Sequence, residues 1–226
     1  MNYCTARSFL AFRSLLLLII VLTGSFQHTL PAKEPTVPVP ADTEFVEVNT
    51  LIPNIVIDLP YATDQNFFKK RFYSANRCFL RRGVILKLAE VQKDLNAQGL
   101  GLKIWDGYRP RRVQWEFWKV MPNPAYVADP KEGSRHNRGA AVDVTLVDLA
   151  TGAELAMPTG FDDFSPKAAA DFKLLLPEAL KNRTRLTTTM KKHGFSVLPS
   201  EWWHFDSDGW QKYPLEDRDL LGETAK

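Results

Sequence analysis

The stretch AAVDVTLVD, residues 140–148, alternates in the way that a half-buried β-strand does. Successive side chains of a strand point to opposite faces, so Ala141, Asp143 and Thr145 share one face. The aliphatic residues between them share the other face, which suits a hydrophobic core. The preceding residues 131–139, KEGSRHNRG, have the glycines and polar side chains of a loop. The sequence therefore predicts a loop and then a strand with a carboxylate on its polar face.

The clearest helix signal lies in residues 83–99. Apolar residues recur there at steps of four, three and four positions, on one face of an α-helix. They are Val84, Leu88, Val91 and Leu95. Gly99 is placed to end this helix, because glycine readily adopts the left-handed conformation that follows many helices.

Further helices and strands are predicted on both sides of these two segments. Ser165 and Pro166 form a helix cap and first-turn pair. The predicted helices cover residues 111–120, 166–177 and 182–193, and the predicted strands cover 102–105, 195–197 and 202–206. Helices and strands do not alternate strictly, so the fold class is predicted to be α+β.

Composition argues against a nucleic-acid-binding protein. The 226 residues carry a formal net charge of +3, and Arg7 and Arg13 supply two of these charges within the first thirty residues. No basic stripe with interleaved aromatic residues stands out. Hydrophobic residues make up 45% and charged residues 24%, which is typical of a globular domain with a sizeable core.

The N-terminus has the order of parts of an export signal. Two arginines precede the apolar run 14–22, and polar, proline-containing sequence follows. Residues 1–30 are therefore predicted to be a signal peptide or an N-terminal membrane anchor, with a periplasmic or extracellular destination. Residues 31–44 are predicted to be a Pro-rich linker, and residues 45–226 the folded domain. After removal of the leader no stable membrane insertion is expected.

Two of the four histidines are candidates for chemistry. His28 lies beside the leader and His193 at a helix end, which leaves His136 and His204. His136 precedes Asp143 by seven residues, and a pair of this kind is more often an ordinary hydrogen bond. With His204 added, two imidazoles and one carboxylate make the three-ligand set of a catalytic zinc site.

The stretch SEWWHFD, residues 200–206, and the stretch DGYRP, residues 106–110, add two further candidates. Glu201 is a carboxylate that could accept a proton from water at such a site. Arg109 could stabilise the charge of a tetrahedral intermediate, and an ion pair with Asp106 is the alternative. Trp202 shares a strand face with His204 and is expected to line the site, whereas Trp203 is expected in the core.

Three motifs occur in an order that resembles a known family. WDGYRP, SRHNRGAAVDVTL and EWWHFD resemble the D-alanyl-D-alanine dipeptidases, the zinc peptidases associated with vancomycin resistance. DLPYATDQNFF is similar to the N-terminal segment of that family, and the resemblance extends over roughly residues 44–208. It implies a compact single domain with a central antiparallel sheet flanked by helices.

The resemblance also implies a role for each matching residue. His136, Asp143 and His204 match the ligands of one Zn²⁺ ion, Glu201 the catalytic base, Arg109 the transition-state arginine and Ser134 a substrate contact. MPTGFDDF resembles the segment whose aspartate receives the substrate ammonium. Asp162 is the match at that position and Asp163 is the alternative.

The expected activity is zinc-dependent hydrolysis of the D-alanyl-D-alanine dipeptide to D-alanine. One alternative is a zinc carboxypeptidase or endopeptidase that trims peptidoglycan stem peptides, which predicted export favours. A second alternative is a non-catalytic cell-wall-binding protein. The expected partner is the small dipeptide or a stem peptide, and no nucleic acid.

Overall fold

A computed structural model describes residues 40–124 and 126–220. All of them lie within one compact unit, Val39–Lys226. The predicted leader, residues 1–30, lies outside the described residues, as does the predicted linker up to residue 39. Within the described part, no helix is long and apolar enough to cross a membrane.

The described chain contains seven strands, four α-helices and short 3-10 turns. The strands are Phe45–Glu47 (β1), Val56–Ile57 (β2), Phe79–Arg81 (β3), Leu100–Asp106 (β4), Ala141–Asp148 (β5), Phe195–Leu198 (β6) and Glu201–Ser207 (β7). The helices are Val48–Leu51 (α1), Arg82–Asn96 (α2), Arg111–Val120 (α3) and Pro177–Lys192 (α4). The 3-10 turns are Pro60–Ala62, His136–Arg138, Pro166–Ala168 and Trp210–Lys212.

A five-stranded sheet forms the centre of the unit, in the order β2-β4-β5-β7-β6. Its pairs are antiparallel except β2 with β4, which run parallel. Strands β1 and β3 form a separate antiparallel pair. The predicted α+β class is confirmed, and so is the mainly antiparallel central sheet with helices against it. The strand predicted from residues 140–148 is the middle strand, β5.

The helix predicted over residues 83–99 is observed as α2, Arg82–Asn96. The four residues of its predicted apolar face are all buried, and α2 packs against β4 and α4. Gly99, at φ 73°, lies in the left-handed conformation just beyond the helix. The apolar periodicity therefore identified the helix, and the glycine marks the turn into β4.

The helix predicted over residues 166–177 is wrong. Only Pro166–Ala168 forms a 3-10 turn, and α4 begins instead at Pro177. The carbonyls of Ala169 and Phe172 accept hydrogen bonds from the Arg183 side chain of α4, and Ala169 O also accepts one from the backbone N–H of Phe172 in a short turn. Proline also disfavours helical geometry in the residue before it, so Pro177 starts one helix and cannot continue another.

Candidate active site

The central sheet places three acidic and imidazole side chains in one row. Asp143 on β5 is directly opposite His204 on β7, and Asp106 on β4 is opposite Asp143. Directly opposite residues of antiparallel strands have Cβ atoms about 5 Å apart. Strand register therefore brings together residues that lie far apart in the sequence.

His136 reaches the same point from the 3-10 turn before β5. The turn ends at Gly139, whose φ of 66° lies in the left-handed region. A Cβ at Gly139 would lie 2.3 Å from the Phe45 ring, so the position has no room for a side chain. The Nδ1 atom of His136 lies 2.7 Å from the Gly107 carbonyl oxygen, which fixes the orientation of the ring.

An irregularity in β7 places Glu201 beside His204. Val197 of β6 pairs with Phe205, but the next residue, Leu198, pairs with Glu201. In a regular strand, residues three positions apart face opposite sides of the sheet. Here the register shift allows both side chains to reach one side, with Glu201 Oε2 4.0 Å from His204 Nδ1.

The three predicted metal donors form a compact triangle. His136 Nε2 lies 3.1 Å from His204 Nδ1 and 3.4 Å from Asp143 Oδ1, and His204 Nδ1 lies 3.0 Å from the same carboxylate oxygen. Tetrahedral zinc sites, with ligands about 2.0–2.1 Å from the metal, place their donors roughly 3.3 Å apart. All three residues are buried. The donor types and spacing therefore fit Zn²⁺.

Each imidazole has one ring nitrogen inside the triangle and one outer nitrogen that points away from it. The hydrogen-bond partner of the outer nitrogen determines which nitrogen carries the proton. His136 Nδ1 faces a carbonyl oxygen, which can only accept, so Nδ1 carries the proton. His204 Nε2 donates likewise to Asp206 Oδ1 at 2.9 Å. In the neutral rings the two inner nitrogens are then lone-pair donors facing each other and Asp143. A cation between them would stabilise this arrangement, and such outer partners are typical of metal-binding histidines.

The electrostatics of the triangle also favour positive charge. Burial lowers the pKa of His204, but its hydrogen bonds to Asp143 and Asp206 outweigh burial and raise that pKa to about 10. For Asp143, burial raises the pKa, but the two histidines outweigh it and hold the pKa well below its usual range. Asp143 is therefore a carboxylate at neutral pH, as a metal ligand must be.

Arg109 forms the ion pair with Asp106 that was the alternative to a catalytic role, and it also lines the cavity. Its Nε and Nη2 donate to Asp106 Oδ2 at 3.0 and 2.7 Å, and Nη1 donates to Gln114 Oε1 at 2.9 Å. The guanidinium also lines the cavity that contains the metal donors. A guanidinium has five N–H groups, so two remain that bond to none of the described residues. The ion pair with Asp106 holds the group in place without using all its donors.

Glu201 lines the same cavity, and only 14% of its side chain is exposed. Burial raises its pKa to about 6, although His204 acts in the opposite direction. A carboxylate with a raised pKa accepts a proton more readily than an ordinary surface glutamate. Its position 4.0 Å from a metal donor gives it access to a water held there.

Asp162, rather than Asp163, lines the cavity. Its Oδ2 accepts a hydrogen bond from Tyr61 Oη at 2.8 Å, and its φ of 56° is unusual for a residue other than glycine. Burial raises the pKa of Asp162 to about 8, against the lowering effect of the Tyr61 hydrogen bond. Asp163 Oδ1 instead accepts from the backbone N–H of Ser165 in the following turn.

Ser134 also lines the cavity and is buried. Its Oγ accepts a weak hydrogen bond from the backbone N–H of His136 at 3.2 Å, and its own N–H donates to Asn137. The side chain therefore braces the turn that carries the first metal donor and borders the space beside it.

The expectation that Trp202 lines the site is wrong. Trp202 is fully buried in the hydrophobic core, where its indole N–H donates to Thr159 Oγ1 at 2.8 Å. Its ring makes edge contacts with Trp105 and Trp203. The strand irregularity that brings Glu201 to the site removes the simple alternation on which the expectation depended.

Several residues that support the site escaped the sequence analysis. They are Tyr61, Gly107, Gln114, Arg135 and Asp206. Most of these residues lie within the quoted motifs, so the sequence indicated that they are close to the site. Their partners were not, because each partner comes from a distant part of the chain.

A buried set of two imidazoles and a carboxylate, with a second carboxylate and an arginine around it, defines a metal-dependent hydrolase. Residues 41–219 match the family described as D-ala-D-ala dipeptidase, and the chain belongs to that family of peptidases. The resemblance that the three motifs suggested is thereby confirmed over most of the chain.

Curated relatives agree with this assignment. A D-alanyl-D-alanine dipeptidase of Escherichia coli (strain K12) is 38% identical over 173 residues, which cover 76% of this chain and 89% of that protein. A D-alanyl-D-alanine dipeptidase of Streptomyces coelicolor is 33% identical, with 72% and 90% covered. A solved structure described as VanYB in complex with D-Alanine-D-Alanine is similar at 16% identity and a TM-score of 0.40, with 61% and 76% covered.

Proposed function

We propose that this protein hydrolyses the D-alanyl-D-alanine dipeptide with one Zn²⁺ ion held by His136, Asp143 and His204. The observation that carries the proposal is the convergence of these three donors into a triangle of 3.0 to 3.4 Å sides. The relatives that cover most of this chain are D-alanyl-D-alanine dipeptidases by name, which supports the substrate.

The reaction assigns one task to each group around the metal donors. When bound, the metal supplies Lewis acidity, which lowers the pKa of water and polarises a peptide carbonyl. Glu201 accepts the proton of the attacking water at its carboxylate and returns it to the leaving amine. The two free N–H groups of Arg109 stabilise the negative charge that develops on the carbonyl oxygen.

Asp162 selects a substrate with a free ammonium group. It lines the same cavity as the metal donors and is bonded to Tyr61, so an ammonium placed there would lower the raised pKa of Asp162 and donate a charge-assisted hydrogen bond to its carboxylate. A stem peptide has an amide at the corresponding position and would leave this carboxylate without a cation. Asp162 and the bordering Ser134 therefore favour the dipeptide over longer peptides.

The predicted leader implies that the enzyme acts outside the cytoplasm. Residues 1–30 carry the charge and apolar run of an export signal. In that location both the free dipeptide and the stem peptides of peptidoglycan are within reach, so the substrate has to be decided by assay.

The direct test is release of D-alanine from D-Ala-D-Ala by the purified enzyme, with and without a zinc chelator. A stem pentapeptide ending in D-Ala-D-Ala is assayed in parallel. Chelator-sensitive cleavage of the dipeptide alone is expected. Cleavage of the pentapeptide instead would support the stem-trimming alternative, and binding of wall fragments without cleavage would support the non-catalytic one.

Asp162→Asn and Asp163→Asn form a matched pair for the specificity step. D162N is expected to raise KM for the dipeptide by roughly 10- to 100-fold, the range of a charge-assisted hydrogen bond. D163N leaves KM within about twofold, because Asp163 bonds to Ser165 outside the cavity. Equal effects of both substitutions would contradict the assignment of Asp162.

A further inference from the structure

Arg135 stands out among the cavity residues because its charge is not used in the mechanism above. It lies between Ser134 and His136, and its side chain is 40% exposed at the cavity wall. Among the cavity-lining residues that the structure describes, Arg135 and Arg109 are the arginines. Arg109 already donates to Asp106 and Gln114.

The guanidinium of Arg135 is held in place but keeps its hydrogen-bonding capacity. It stacks on the Trp210 ring, with its central carbon 4.7 Å from the ring centroid. Its Nε lies 3.4 Å from Asp206 Oδ2, which is close enough for an ion pair but does not meet the geometry of a hydrogen bond. Within residues 40–124 and 126–220, the buried Nε of Arg135 has no hydrogen-bond acceptor.

The position of Arg135 complements that of Asp162. Asp206, the ion-pair partner of Arg135, lies near the end of β7 beyond His204. Asp162 lines the same cavity as Arg135 and is held by the hydroxyl of Tyr61. The cavity that contains the metal donors is thus lined by a basic group, Arg135, and by an acidic group, Asp162.

The proposed substrate is itself a zwitterion, with an ammonium at one end and a carboxylate at the other. From this complementarity we infer that Arg135 binds the C-terminal carboxylate of the dipeptide. The planar guanidinium can donate two parallel N–H bonds to a carboxylate, which fixes the orientation of the substrate as well as its affinity. Stacking on Trp210 keeps the group from swinging into solvent. This inference rests on the proposed function.

The test compares D-Ala-D-Ala with its C-terminal amide, which lacks the negative charge. Both are titrated calorimetrically into zinc-loaded enzyme carrying Glu201→Gln, with and without Arg135→Ala. R135A is expected to weaken binding of the free acid by roughly 10- to 100-fold and to change binding of the amide by less than about threefold. R135K should recover part of the preference, since it restores the charge without the planar fork.

Arg138→Ala is the matched control. Arg138 also stacks on Trp210, but its guanidinium donates to the Tyr213 carbonyl oxygen and does not line the cavity. R138A should leave the ratio of acid to amide affinity unchanged. A loss of that ratio in both variants would show that the Trp210 region is only structural.

A second readout separates substrate binding from support of the metal site. Zinc affinity is measured by chelator competition in the wild type and in R135A. If R135A weakened zinc binding and lowered acid and amide affinity equally, Arg135 would act through Asp206 on His204, and the inference would be overturned. If the acid-to-amide preference persisted in a protein that did not cleave the dipeptide, the proposed function would fail while the carboxylate subsite stood.

Discussion

At the scale of single residues, the site depends on protons held on the outer side of each imidazole. The Gly107 carbonyl oxygen and the Asp206 carboxylate accept hydrogen bonds from His136 Nδ1 and His204 Nε2. The other nitrogen of each neutral ring then has a lone pair that can bind a metal. Asp143 remains ionised because the two histidines outweigh the cost of its burial. The carboxylate and the imidazoles are thus prepared for a cation before one binds.

Glu201→Gln tests the proposed base at this scale. Glutamine has the same shape but cannot accept the proton, so kcat for dipeptide hydrolysis is expected to fall on the order of 10²- to 10⁴-fold. Zinc content, measured by metal analysis, should stay at one ion per chain, because Glu201 is not one of the three donors. Glu90→Gln, at an exposed position on α2, is the control. Near-normal activity of E201Q would exclude Glu201 as the base.

At the scale of elements, the turn from His136 to Gly139 and strand β5 act as one unit. Gly139 ends the 3-10 turn in the left-handed region, and its carbonyl accepts a hydrogen bond from the backbone N–H of Arg81. The ring of Phe45 occupies the space where a side chain would be. The position of His136 therefore depends on β1 and β3 as well as on its own loop.

Gly139→Ala is expected to lower the free energy of unfolding by roughly 2–5 kcal/mol, from left-handed strain together with the collision with Phe45. Gly152→Ala is the matched control: its φ is 72°, but no atom lies within 4 Å of the added Cβ. It should cost only about 1–2 kcal/mol. Urea denaturation of the zinc-loaded proteins measures both unfolding free energies. Equal losses of stability would mean that the Phe45 ring moves aside at little cost.

At the scale of the whole molecule, buried Arg81 joins three distant segments. Its side chain donates to the carbonyls of Thr43 and Arg138 and to Glu216 Oε1 at 3.0 Å. These contacts connect the start of the described chain, the turn that carries His136 and the C-terminal segment. The same C-terminal segment bonds to the site loops through Glu216, whose N–H donates to the Asn137 carbonyl.

Arg81→Ala should lower the free energy of unfolding by about 3–5 kcal/mol, because the carbonyls of Thr43 and Arg138 would lose their side-chain donor and Glu216 would keep only Arg218 as its ion-pair partner. Arg77→Ala, which removes an exposed ion pair with Glu47, should cost less than about 1 kcal/mol. Tryptophan fluorescence during urea denaturation reports both. Similar losses for the two variants would contradict the role of Arg81 as a connection between segments.

The ion pair between α2 and the end of α4 makes the stability of the fold depend on pH. Lys192 and His193 hydrogen-bond to Asp94 at 2.6 and 2.7 Å and lower its pKa from 3.8 to about 2. A lowered acid pKa stabilises the fold above the unfolded value, and that stabilisation is lost as the pH falls from about 4 to about 2.

Asp94→Asn removes this contribution. The difference in Tm between wild type and D94N is therefore expected to be constant above about pH 5 and to vanish towards pH 2. Thermal denaturation at a series of pH values measures it. A difference that grew as the pH fell would have the wrong sign for an aspartate with a lowered pKa.

The amino-acid sequence by itself determined several helices and strands and the motifs that contain the site residues. Periodicity predicted α2 and β5, a helix over 111–120 was also predicted, and the three motifs contained the donors His136, Asp143 and His204 together with Glu201. Local patterns suffice there because an amphipathic helix or strand carries its signal in neighbouring residues. The helix predicted over 166–177 is wrong, and there the carbonyls of Ala169 and Phe172 bond to Arg183, a side chain of α4 that local patterns do not reveal.

Only the tertiary structure decided how these residues meet. Strand register places Asp143 opposite His204, and the irregularity in β7 turns Glu201 towards them. Tertiary contacts also distinguish Asp162 from Asp163 and show that Arg109 holds an ion pair while it faces the cavity. These outcomes depend on partners far away in the chain, and residue order alone does not specify which distant groups pack together.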